Sequence, residues 1–175
     1  MKKFVFSFAV MVLSMVSAGT FAQSTDWKIA DDYSVKFDGG GDPSGEFRGL
    51  KGDIKFDENN LSASKFNVTI DVSSINTGNG MKNTHAKSAK WFDSEKYPTI
   101  SFTSSSLSKT ASGYEAKGTL SMHGVQKEVA IPFTFNNNVF NASFEVNRLD
   151  YNINVEEPSH GAAKFKVDIT VPVKK

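Results

Sequence analysis

Apolar and polar residues alternate with a period of two along most of the chain, the pattern of a strand with one buried face. The C-terminal stretch is clearest. Ala163, Phe165, Val167, Ile169, Val171 and Val173 share one parity, and Lys164, Lys166, Asp168, Thr170 and Pro172 the other. Phe66, Val68, Ile70 and Val72 alternate in the same way with Asn67, Thr69 and Asp71. One or two strands are predicted over residues 27–37, with Tyr33, Val35 and Phe37 on one face. Another covers 46–56, where a slip of parity between Phe47 and Leu50 predicts a bulge near Gly49. Further strands are read at 99–107, with Ile100 and Phe102 together, at 114–122, and at 125–135, with Ile131, Phe133 and Phe135 together. Over 139–153, Phe140, Ala142, Phe144 and Val146 share a face whose parity Arg148 continues. About eight strands joined mostly by short turns predict an all-β fold, an antiparallel up-and-down β-barrel, rather than a βαβ sheet. Pattern alone leaves a sandwich open.

One segment, 74–98, departs from the alternation. Asn76, Thr77, Gly78, Asn79 and Gly80 are loop residues, and Met81, His85, Ser88 and Phe92 follow at i, i+4, i+7 and i+11. This predicts one helical insertion over about residues 80–92, with His85 packed beneath it on the Met81 and Phe92 stripe.

Lys2 and Lys3, an apolar run over 4–16 and small residues ending Thr20-Phe21-Ala22 read as a signal peptide, residues 1–22, cleaved on export. The remaining 153 residues suit a single domain, 23–175. No other stretch approaches the ~20 apolar residues of a spanning helix, so no stable membrane insertion is expected. Without residues 1–22, Lys and Arg number 18 against 19 Asp and Glu, which gives no electrostatic reason to expect nucleic acid as a partner. Cysteine is absent, so the core holds the fold unaided and thiol chemistry is excluded. Of the 15 Phe, four lie in residues 1–22 and most of the others sit on alternating strands.

Candidate reactive chemistry is sparse. His85, His123 and His160 have no metal-ligand spacing; His160 lies beside Glu156 and Glu157. Neither G-x-S-x-G nor H-E-x-x-H occurs, and Gly78-Asn79-Gly80 reads as a turn. No catalytic residue, metal or cofactor is expected.

Ser74-Ile75-Asn76-Thr77-Gly78, then Lys82, His85, Ser88, Trp91-Phe92-Asp93 and Glu95-Lys96-Tyr97-Pro98, and later Leu120, His123-Gly124-Val125 and Lys127, recur in order at family-like separations. On these motifs the chain resembles the YceI-like family of periplasmic polyisoprenoid-binding proteins, over essentially the whole length after residue 22. Lys82 stands where the family usually has Arg, Asn83 and Lys90 where it tends to have Asp, and Ala86 where it tends to have Leu. The resemblance implies a lipocalin-like barrel, a periplasmic location, and binding, transport or storage of a polyisoprenoid or isoprenoid quinone-type lipid without catalysis. It leaves a homodimer open.

Under that implication the inward parity supplies an apolar lumen: Val35, Phe37, Phe66, Val68, Ile70, Phe102, Ile131, Phe133, Phe140, Ala142, Phe144, Phe165 and Val167. Met81, Lys82, His85, Trp91, Phe92 and Arg148 would form the lid and mouth. Gly49, Ala116, Gly118, Ala142 and Ala163 on or near these faces either leave space along the axis or let strands approach closely. Eight strands sit at the dividing line between a filled barrel and one holding a ligand. The alternatives are a ligand-free stress-related or interaction module with a packed core and, further off, a hydrolase using His85 or His123. Burial of ~20 carbons at about 0.8 kcal/mol each gives roughly 16 kcal/mol before association costs, whereas an exposed ion pair adds about 0 to 1. Affinity would therefore reside in the lumen.

Overall fold

The structure, a computed structural model, describes residues 24–175; the predicted signal peptide lies outside the described residues. Eleven strands form one antiparallel sheet among them: β1 Asp26–Ile29, β2 Ser34–Asp38, β3 Ser44–Phe47, β4 Leu50–Lys55, β5 Lys65–Asp71, β6 Ile75–Asn76, β7 Thr99–Thr110, β8 Gly113–Met122, β9 Val125–Asn136, β10 Val139–Asn147 and β11 Lys164–Lys174. The ring runs β1-β4-β5-β7-β8-β9-β10-β11, and β1 closes it by pairing with β11. Beside it, β2 continues along β11, β3 pairs with β2, and β6 with β3. The barrel therefore has eight strand positions, as the alternation predicts, with three neighbouring positions each broken in two.

The breaks at 30–33, 48–49 and 72–74 lie side by side and are stitched across the wall. The Tyr33 hydroxyl accepts from the Gly49 N–H at 2.7 Å and from the Leu50 N–H at 3.1 Å, and Ser74 Oγ accepts from the Arg48 N–H at 3.0 Å. Gly49 has φ +129°, a conformation that favours glycine, which accounts for the parity slip read in the sequence.

Because the connections are hairpins, alternate turns share one end of the barrel, and aromatic residues beside those turns converge there. Phe56, 1% exposed, has the rings of Phe66, Tyr114, Phe133, Phe135 and Phe140 at centroid distances of 5.0–6.2 Å, most of them edge to face. Trp27 adds an edge contact to Phe135 at 5.4 Å, and its Nε1–H donates to the Phe56 carbonyl at 2.9 Å. Edge-to-face pairs add about 0.5–1.5 kcal/mol each beyond their buried area, so this end is a rigid floor.

Tyr114 stands in that floor and donates its hydroxyl to Glu58 at 2.6 Å. That bond, with burial and the carboxylate charge, pushes the phenol up to about 12. The folded protein thus keeps a proton that the unfolded chain releases near pH 10, so this contribution is present below pH 10 and is lost as pH rises toward 12. Denaturant titrations from pH 9 to 12 should show stability falling across that window, and Glu58→Gln should move the tyrosinate absorbance transition of Tyr114 to lower pH.

The opposite end carries the long connections, and two of its predicted elements are shorter than the periodicity suggests. The helix, α1, spans Gly80–Lys87, two turns rather than three. It begins at Asn79, whose side chain accepts from the Lys82 N–H, and stops at Ser88, whose Oγ donates to the His85 carbonyl. Residues 88–97 then fold as successive turns, with Asp93 at φ 46°. In consequence Met81 is 83% exposed and His85 is exposed, so the predicted stripe beneath the helix does not form. Phe92 reaches the barrel from a turn instead and packs edge-on against Phe47 at 5.8 Å. The strand read over 139–153 ends at Asn147, whose side chain caps a short 3-10 turn, Arg148–Tyr151, by accepting from the Leu149 N–H.

Candidate functional site

Between the aromatic floor and the long connections the barrel encloses a cavity of about 1110 Å³. Packed protein interiors leave few voids larger than a water molecule, so this volume is a built feature. It also matches the upper range of small-molecule sites. Val35, Phe37, Phe66, Val68, Ile70, Phe102, Ile131, Phe133, Phe140, Ala142, Phe144, Phe165 and Val167 all line it, because parity in a closed sheet sends alternate residues inward. Those near the floor, such as Phe133 and Phe140, are buried, whereas Phe66, Val68, Ile70, Ile131, Ala142, Phe144 and Val167 keep part of their surface free.

The mouth is built from α1 and the turns after it, the 39–43 loop and the 148–163 loop. Met81, Lys82, His85, Trp91, Phe92 and Arg148 all border the cavity there. Two ion pairs tie the pieces together. Lys82 Nζ lies 2.6 Å from Asp42 Oδ2, and Lys90 Nζ lies 2.7 Å from Glu157 Oε1. The hydrogen bond from Lys90 holds the Glu157 carboxyl below its usual range. Both pairs are about half exposed, so each is worth about 0–1 kcal/mol.

Arg148 occupies a different environment from the lysines. It is 3% exposed, and its guanidinium donates to six backbone carbonyls of the loop that follows. Nε reaches Ala162 at 2.9 Å, Nη1 reaches Ile153 at 2.7 Å and Asn154 at 2.9 Å, and Nη2 reaches Pro158 and His160 at 3.1 Å each and Glu157 at 3.4 Å. Burial pulls its pKa below the ordinary arginine value. Its plane also lies 5.3 Å from the Trp91 ring, which His85 and His160 flank at 5.9 and 6.2 Å. The parity that Arg148 inherits from β10 thus brings it to the cavity rim, where it organises the loop.

His123 is at the mouth end but is not among the residues that line the cavity. It turns the β8–β9 hairpin at φ 51°, with Nδ1 3.1 Å from the Tyr151 carbonyl and its ring 4.6 Å from Tyr97. Among the described residues no group of three or more His, Cys, Asp or Glu could hold a metal ion.

Sequence reading put Phe56 and Phe135 on strand faces but did not bring them together with Trp27 and Tyr114 as a floor. Their signal was positional: Phe56, Tyr114 and Phe135 each sit within two residues of a turn at the same rim. The predicted lumen also left out Phe47, Ile54, Ile75, Leu120 and Met122, which share the cavity wall.

An eight-position antiparallel barrel with one sealed end and one apolar, lidded cavity defines a lipocalin-like protein. The chain belongs to the YceI-like family, whose model matches residues 11–174 under the description YceI-like domain. It is 30% identical to Protein YceI of Escherichia coli O17:K52:H18 (strain UMN026 / ExPEC) over 176 aligned positions, covering 91% of this chain and 90% of the relative. Among solved structures it is similar to BcnA of Burkholderia cenocepacia, with a TM-score of 0.73, 24% identity, and 86% of this chain and 96% of the other covered. A polyisoprenoid binding domain from Saccharophagus degradans, implicated in plant cell wall breakdown, superposes with a TM-score of 0.63 at 14% identity, covering 87% of this chain and 99% of the other. At these identities the two structures speak for the fold alone.

Proposed function

We propose that this protein is a non-catalytic carrier or store for a polyisoprenoid or similar long apolar lipid, acting in the periplasm after export. The observation that carries the reading is the cavity of about 1110 Å³, apolar along its walls and reached past a lid. A void of that size argues against the packed-core alternative. The polyisoprenoid binding named for the Saccharophagus degradans domain of the same fold supports the ligand class.

Native mass spectrometry and lipid extraction of protein purified without detergent test the proposal. The expected result is a co-purifying apolar lipid, or stoichiometric uptake of an added prenol by stripped protein. Repeated recovery of bare protein that takes up no prenol would reject it.

If affinity comes from hydrocarbon burial, the rim charges matter little. Lys82→Ala removes only the exposed pair to Asp42 and should change the Kd for a long prenol by less than about threefold. A tenfold loss in a fluorescence displacement assay would place the binding energy at the mouth instead.

A further inference from the structure

The barrel wall is not zipped along its whole length. β9 and β10 face each other in register only from Asn136↔Val139 to Phe133↔Ala142, although β9 pairs along its other edge with β8 from Tyr114↔Phe133 to Met122↔Val125. β10 likewise pairs with β11 along its full length. The β9–β10 ladder stops where Pro132 comes next, a residue with no N–H to offer a partner strand.

What borders the unpaired stretch is apolar on the inside. Ile131 of β9 and Phe144 and Val146 of β10 line the lumen there. A pocket of about 440 Å³ opens at the floor-side end of that stretch, where the ladder stops. Outward-facing Pro132, Thr134, Asn141 and Ser143 line it together with Phe133, Ala142 and Ile169, which also line the main cavity. The wall between the two spaces is therefore one side chain thick. The seam is bounded at both ends. Four residue pairs lie toward the floor, and toward the mouth the 3-10 turn is pinned by His123 to the Tyr151 carbonyl and by Lys127 to Asp150 at 3.5 Å.

We infer that the unzipped β9–β10 seam is a lateral opening of the lumen, through which an apolar chain slides in and out between Ile131 and Phe144. The inference rests on the carrier reading above. Parting two strands that share no ladder costs no backbone hydrogen bonds, whereas lifting the mouth breaks the Arg148 loop contacts and both rim ion pairs. An apolar ligand crossing at the seam meets aliphatic and aromatic lips rather than the lysines of the rim.

Because the chain has no cysteine, thiol linkage tests the route cleanly. Continuing the register places Ala130 opposite Glu145, both exposed. In A130C/E145C, bis(maleimido)ethane should staple the seam, and N-ethylmaleimide on the same protein supplies the unlinked control. D42C/K82C, stapled the same way, closes the rim instead. Stopped-flow uptake of NBD-labelled geranylgeraniol is expected to slow at least tenfold with the seam stapled and less than twofold with the rim stapled. Equal rates in the linked and blocked seam variants, or a larger effect from the rim staple, would overturn the inference while leaving the carrier function standing. Absence of uptake by the unsubstituted protein would reject the carrier function and the seam's role together. E128C/N147C, the next outward pair in register, repeats the test should the first pair fold poorly by circular dichroism.

Discussion

Phenylalanine in place of Ala142 should weaken binding of a long prenol tenfold to a hundredfold while leaving the melting temperature nearly unchanged. Ala142 stands on β10 opposite Phe133 and Ile169, and its side chain borders the cavity just above the floor. A phenyl ring added there displaces several ligand carbons. At about 0.8 kcal/mol for each buried methylene, losing two to four of them costs about 1.6–3 kcal/mol, which is the stated range in Kd. In a packed interior the same change would overfill the core and lower stability by ~1–3 kcal/mol. A displacement titration and a thermal melt on one preparation separate the two cases: lost binding with an intact melt means open space, and the reverse means a filled barrel.

Arg148→Met should be among the most destabilising single substitutions in the chain, at about 3–5 kcal/mol. The penalty comes from what remains behind, six buried or half-buried carbonyls of the 153–162 segment that lose their donor. Arg148→Lys should recover only part of this, because an ammonium has three donors and cannot reproduce the planar fork. Urea denaturation gives the magnitude, and amide exchange should show loss of protection concentrated in 148–163. A cost below 1 kcal/mol would mean that the loop holds its shape without the guanidinium. The same geometry bears on ligand recognition. With its N–H groups committed to carbonyls, Arg148 would offer the headgroup of a bound lipid its charge but no free donor.

Strand parity carried the strands and the residues that share a face, and the family resemblance favoured a barrel over a sandwich; once the sheet closes, alternation becomes inside and outside. Ile131, Phe144 and Val167, far apart in the chain, come to one cavity by that conversion. The crease at Gly49 was legible for the same reason, since a strand break shows as a slip in the period. The helix was overextended because Met81, His85, Ser88 and Phe92 satisfy a 3.6-residue spacing that the backbone does not follow past Ser88. A hydroxyl competing for a helix carbonyl is invisible to hydrophobic periodicity. Arg148 shows the other limit. Its inward parity was readable, but six carbonyl partners supplied by an irregular loop follow from the path of that loop rather than from residue type. The ladder break beside Pro132 had a marker in the sequence, a proline within a strand pattern, but which strand lies on its unpaired edge follows from the order of strands around the ring.

The interlocked rings around Phe56 make the barrel a vessel rather than a conduit. For the proposed carrier this means that cargo could not be threaded from one pole to the other, so whatever is loaded would leave by reversing or sideways, and a chain longer than the well would leave its surplus outside. A guest lodged tail-first against that floor would keep its other terminus away from the sealed pole, which would give the loaded particle a fixed polarity.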